Sequence, residues 1–269
     1  MQNSESKLKI AGYSVKVFFI LLGTVGSCWA GGCSGASTAS ATETEKKSLT
    51  VDTVLENLRR QTNQLTSYQA KVEYLFRQPM FESQTLRKGV LYYQKSDGKS
   101  NLRMNFEMLK QDDGPEEKYI EQYIFDGVWL THVDYQIKQV KRHQQGEPNK
   151  PLDAFDLVRE NFPIIGFSKT EDLKKEFDIS EVNEMNGLIH LNLKVKPDSQ
   201  YKDDYKSVKI WIDKKLSLPA KIIAATTEED IYEIRFLEPK VNEQIDKKVF
   251  EFEIPEGFGV EIEPLKKKR

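Results

Sequence analysis

The sequence has little to offer catalysis. Its three histidines, His132, His143 and His190, stand apart from one another, and no His-Glu-x-x-His pair exists to seat a catalytic zinc. A Gly-x-Ser-x-Gly elbow and a Gly-rich phosphate loop are both missing, which removes the usual hydrolase and nucleotide-binding readings. Cysteine is nearly absent. Cys28 and Cys33 are the only two in 269 residues; their Cys-x4-Cys spacing is not that of redox sites or zinc knuckles, and no second pair completes a metal site. Charge of one sign is not in excess either: 40 Lys and Arg stand against 42 Asp and Glu, a formal net charge of −2, and nothing points to nucleic acid. Carboxylate pairs such as Asp203-Asp204 and Glu228-Glu229 lie in polar turns, where a solvated face is the simpler account. No metal and no cofactor is called for, and an enzyme is the weaker class.

The N-terminus is built as an export signal over residues 1–33. Lysines precede the apolar run Val17 to Leu22, which is too short to span a bilayer, and small residues follow where a peptidase would cut. Both cysteines lie in that cleavage region. Val25-Gly26-Ser27-Cys28 resembles the lipobox of bacterial lipoproteins, whose cysteine takes diacylglycerol; Ala30-Gly31-Gly32-Cys33 resembles it less well. Plain cleavage after Ala30 is the alternative. Residues 34–48, small and polar, have the composition of a flexible tether.

From Thr50 onward Val51, Val54, Leu55, Leu58 and Leu65 form a helical stripe. Thereafter the period is two. Tyr68, Ala70, Val72, Tyr74 and Phe76 alternate with polar residues, as half-buried antiparallel strands do. The pattern recurs at Leu102–Met108, at Tyr119, Glu121, Tyr123 and Phe125, at Ile189–Val195, at Val208–Ile212 and at Phe250, Phe252 and Ile254. Asn186-Gly187 is a hairpin signal. Less regular segments near Val90, Trp129, Val140, Ile222 and Ile234 bring the expected count to about ten or eleven strands in one meandering sheet. Leu152, Phe155, Val158 and Phe162 suggest a helix in the middle of the chain, and Ser168-Lys169-Thr170-Glu171 has the spacing of a capping box for another. The 14 Phe and 11 Tyr, together with Met80, Met104 and Met108, suit either a cavity with variable contents or a filled core.

Five short motifs occur in order: Phe76-Arg77-Gln78, Gly89-Val90-Leu91, Asp126-Gly127 with Gln139-Val140 downstream, the run Ser207–Ile222, and Phe250–Ile262 with its Phe-x-Phe-x-Ile-Pro close. Together they make residues 49–265 resemble the LolA-type periplasmic lipoprotein carriers, the LolB-like receptors and related outer-membrane lipoprotein-sorting proteins. The resemblance implies an α+β fold, an incomplete antiparallel β-barrel of about eleven strands covered by a helical lid, whose concave side holds acyl chains. It places Tyr74, Phe76, Leu91, Tyr93, Met104, Phe106, Tyr123, Phe125, Trp129, Ile210 and Ile212 on the ligand side. Lys95 falls at the lid rim, where the carriers have an arginine; Trp129 stands in for aromatics that here are Thr131 and Val133. The stretch Lys110–Lys118 looks like a lengthened hairpin loop. Implied partners are an acylated lipoprotein or lipid, an inner-membrane lipoprotein-releasing transporter, and a membrane if Cys28 is lipidated. The implied location is the periplasm or cell envelope. An envelope sensor or interaction module with a filled sheet is the rival from another class. The basic residues 266–269 read as a solvated tail.

Overall fold

The computed structural model describes residues 50–96, 99–154 and 170–265. The expected first helix is α1, Val51–Asn63. Thr50 caps it by accepting a hydrogen bond from the Thr53 N–H at 3.2 Å, and Asp52 and Arg60 sit at the ends that the helix dipole favours for their charges. Val54, Leu55 and Leu58 are at most 3% exposed, and each such side chain contributes about 1.5–3 kcal/mol when buried. That stripe docks α1 on one face of a sheet, called here the inner face.

Two meanders build the sheet. The first runs β1 (Ser67–Gln78), β2 (Ser83–Ser96), β3 (Lys99–Gln111), β4 (Glu116–Phe125), β5 (Trp129–Asp134) and β6 (Gln139–Gln144). After the short helix α2 (Thr170–Glu176) the second runs β7 (Phe177–Met185), β8 (Leu188–Val195), β9 (Tyr205–Asp213), β10 (Leu218–Thr226) and β11 (Ile231–Val241). They join where β1 pairs with β11, Tyr68 opposite Val241; with a last strand β12 (Gly259–Glu263) at one edge, the spatial order is β12-β6-β5-β4-β3-β2-β1-β11-β10-β9-β8-β7. Neighbours are antiparallel except β12, which lies parallel to β6. The result is one large open sheet with few helices among the described residues. Asn186 and Gly187 take positive φ values of 53° and 76°, the backbone of a tight hairpin turn, between β7 and β8.

The structure departs from expectation in three elements. The sheet has twelve strands among the described residues, because β7 and β12 are added while Phe250, Phe252 and Ile254 form no strand. Those aromatics serve another purpose. Phe252 and Phe258 pack on Ile124, Val133 and Val140, on the outer face, and Arg103 donates to the carbonyls of Val249 (2.8 Å) and Glu251 (2.9 Å), so the C-terminal segment is strapped across the back of the sheet. Lys110–Lys118 is not a lengthened loop either. β3 and β4 stay paired up to Lys110 opposite Glu116, and their charged side chains are held at the surface, as in the Lys88 and Glu116 pair. The export signal with Cys28 and Cys33, the tether, the helix suggested by Phe155, Val158 and Phe162, and the basic tail lie outside the described residues.

Candidate functional site

Register decides which residues meet. On β1 the positions Tyr68, Ala70, Val72 and Tyr74 stand opposite Tyr93, Leu91, Gly89 and Arg87 of β2, and β3 brings Leu102, Met104 and Phe106 against Tyr93, Leu91 and Gly89. β4 adds Phe125, Tyr123 and Glu121 in the same rank, and β5 adds Leu130 and His132. Side chains in register share a face, so all of these belong to the inner face.

Three apolar clusters divide that face. One gathers α1 with Phe177, Leu191, Leu193, Ile210, Ile212 and Tyr232 and takes in Tyr74 and Phe76 at its margin. A second packs Leu65, Tyr68, Tyr93, Phe125 and Leu130 around Ala154. The third, between them, holds Val72, Phe106 and Tyr123 with half-buried Tyr74, Leu91, Met104, Ile234 and Phe236, and no helix residue among the described ones belongs to it. Of the residues named from sequence, Tyr93, Phe125, Ile210 and Ile212 are therefore packed core, at most 1% exposed. Tyr74, Leu91, Met104 and Phe106 converge in the middle cluster. Trp129 does not join them. It shares its side of β5 with Thr131 and Val133, on the outer face, where the Arg142 guanidinium covers its ring at 5.0 Å from the centroid. The expectation failed because β5 is apolar on both faces: Leu130 serves the inner one and Val133 the outer.

Gly89 makes the middle cluster possible. A Cβ there would stand 1.9 Å from the carbonyl oxygen of Asn105, so β3 can approach only a glycine, and the ladder shifts register at this point. With no side chain on β2, Phe106 reaches across it toward Tyr74, ring centroids 6.2 Å apart. Aromatic contacts then continue in both directions: Tyr74 to Tyr232 to Phe76 on one side, Phe106 to Tyr123 to His132 on the other. The path crosses β11, β1, β3, β4 and β5.

At its far end sits a buried polar group. Glu121 is 2% exposed and accepts hydrogen bonds from the Tyr123 hydroxyl at 2.7 Å and from His132 Nε2 at 2.8 Å; a carboxylate has no proton to give, so Nε2 carries it. Arg87 Nε lies 3.4 Å from the other carboxylate oxygen. Burial pushes the Glu121 pKa up, but the His132 hydrogen bond and the Arg87 charge outweigh it, and the group ends below its ordinary value. Burial drives the Tyr123 pKa far up, so that hydroxyl stays a donor. From the sequence His132 reads as an isolated histidine and Tyr123 as a ligand-side residue, while Arg87 and Glu121 are given no role. One signal was present: Glu121 interrupts an apolar rank, Tyr119, Tyr123, Phe125, at the same parity, and Arg87 interrupts Gly89, Leu91, Tyr93 likewise.

The chain is similar to an outer-membrane lipoprotein-sorting domain. That structure, the putative sorting-protein domain from Vibrio parahaemolyticus, is 13% identical over 73% of this chain and 95% of its own, with a TM-score of 0.35. An uncharacterised conserved protein from Thermus thermophilus matches at 10% identity over 78% of this chain and 97% of its own, TM-score 0.46. The MucA/MucB complex of Pseudomonas aeruginosa matches at 14% identity, TM-score 0.44; it covers 75% of this chain, which spans 60% of that one. No protein-family model and no curated protein matches.

Lys95, the residue placed at the rim from sequence, holds the Asp153 carboxylate at 2.7 Å and thereby ties the end of β2 to the segment after Leu152. A cleft of about 600 Å³ opens beside the β3–β4 irregularity, lined by Glu107, Glu116, Glu117 and Lys118 as well as Phe106 and Met108. Its charged lining suits an acyl chain poorly. Among the described residues no group of His, Cys, Asp and Glu could hold a metal ion, and no helix is long and apolar enough to cross a membrane.

Proposed function

We propose that this protein binds the acyl chains of lipoproteins or lipids non-covalently in the cell envelope, in sorting or transfer towards the outer membrane. In this reading the open sheet curls as an incomplete barrel, and α1 with its neighbouring helices lies over the concave side. The observation that carries it is the middle cluster: Tyr74, Leu91, Met104, Ile234 and Phe236 are apolar, contiguous and only partly buried, on a face whose other two clusters consist mostly of fully buried side chains. An acyl chain laid there gains about 0.8 kcal/mol for each methylene removed from water, enough to hold a partner with no covalent step. If Cys28 carries diacylglycerol, the protein acts from the membrane as a receptor; without it, as a diffusing carrier.

The test is binding of a fluorescent acyl probe and of an acylated peptide to detergent-free protein. Met104→Glu and Leu91→Glu, at half-buried positions, should weaken binding at least about tenfold while the melting transition stays cooperative. Phe106→Asp should abolish binding. A protein that takes up neither ligand would be the filled interaction module instead.

A further inference from the structure

The buried polar group on the inner face holds more hydrogen-bonding capacity than its members use. Glu121 is well served by Tyr123 and His132. Arg87 is not. The residue is 9% exposed, and its Nε, wholly buried, makes no hydrogen bond although it lies 3.4 Å from the Glu121 carboxylate. The guanidinium carbon lies 5.7 Å from the Tyr119 ring centroid, and the Tyr119 hydroxyl is within hydrogen-bonding reach of Arg87. A guanidinium presents five N–H donors in a planar fork shaped for carboxylate or phosphate. Leaving the buried Nε of that fork without a hydrogen bond is costly, and it calls for an explanation.

We propose that Arg87 receives the anionic head, carboxylate or phosphate, of a ligand whose tail lies along the middle cluster. This rests on the acyl-binding reading above and adds the class of head. The placement follows from register. Arg87 stands directly opposite Tyr74 on β1 and two residues from Gly89, so a head at Arg87 sends its tail over the glycine gap toward Leu91 and Met104. From Arg87 to Tyr93 the strand extends on the order of 20 Å, the reach of an extended acyl chain. Glu121 keeps the guanidinium charged and in place: Tyr123 and His132 both bond one of its oxygens, and the other lies 3.4 Å from Arg87 Nε without a hydrogen bond, so a ligand anion competes only with that ion pair. Carboxylate and phosphate share this recognition chemistry and differ in source, a free fatty acid or a phospholipid.

The experiment titrates the full chain, detergent-free, with palmitate, hexadecyl phosphate and hexadecanol, which share one tail. Wild type should bind the better of the two anions at least about tenfold more tightly than the alcohol, the scale of charge-assisted hydrogen bonds. Arg87→Met should level the three while hexadecanol binding changes by less than about threefold, and Arg87→Met/Glu121→Gln repeats the comparison without stranding a buried carboxylate. The anion that wins names the source. Equal affinity of wild type for all three ligands would overturn the head assignment and leave acyl binding standing. Anion preference that persists in the double variant would overturn the role of Arg87. Failure to bind any of the three would overturn the acyl reading itself.

Discussion

Glu121 offers the sharpest test of how the inner face is held together. Replacing it by alanine removes the acceptor for the Tyr123 hydroxyl and for His132 Nε2 and the counter-charge for Arg87, and none of those three groups is more than 9% exposed. Stranding one member of a buried ion pair costs about 3–5 kcal/mol. Against a total stability of about 5–15 kcal/mol that is a large fraction. In urea unfolding with a slope of about 2 kcal/mol/M, the midpoint should fall by roughly 1.5–2.5 M. Glu121→Gln keeps the shape and one acceptor oxygen and loses the charge, so it should fall by about half as much. Glu117→Ala, on the same strand but exposed, serves as the control. Midpoints for both Glu121 variants within about 0.3 M of wild type would refute the reasoning and show that water reaches the group.

The same carboxylate predicts a pH dependence. Its folded-state pKa is lowered, so its contribution is complete above the unfolded value of about 4.3 and is lost as pH falls through the folded one; the acid limb of a stability-against-pH curve should flatten in Glu121→Gln. Gly89→Ala should destabilise by about 3 kcal/mol or more, since its Cβ must displace the Asn105 carbonyl and not a flexible side chain, and thermal melting measures it. Arg103→Ala should leave the two carbonyls of the C-terminal segment unpaired and cost about 1.5–3 kcal/mol, with faster amide exchange in residues 245–263 than elsewhere.

Much of this fold could be read from the chain because its strands are half-buried. Alternation marked β1, β3, β4, β8 and β9 at once, Thr50 marked the start of α1, and Asn186-Gly187 marked a hairpin. The failures have a common physical cause: single-strand periodicity is blind to what covers each face. Trp129 was misplaced because β5 is apolar on both sides. Phe252 alternates like a strand residue although it packs from outside as part of a strap, while β12 is exposed along its whole length and carries no periodic burial. Within the candidate site, Tyr74, Leu91, Met104 and Phe106 were legible as one face. The Arg87, Glu121 and His132 group was not, since the three residues come from three strands and only register brings them together.

The joint between the two meanders also sets an order of events in folding. β2 to β5 and β8 to β10 pair with their neighbours in sequence, so hairpin closure can build each half from short loops. The β1–β11 ladder is different: Tyr68 must find Val241 across almost the whole described chain, a loop-closure entropy that nothing local repays. Two preformed half-sheets that meet late would expose the edges of β1 and β11 while they wait, and refolding followed by pulsed hydrogen exchange should protect the interior of each meander before that seam.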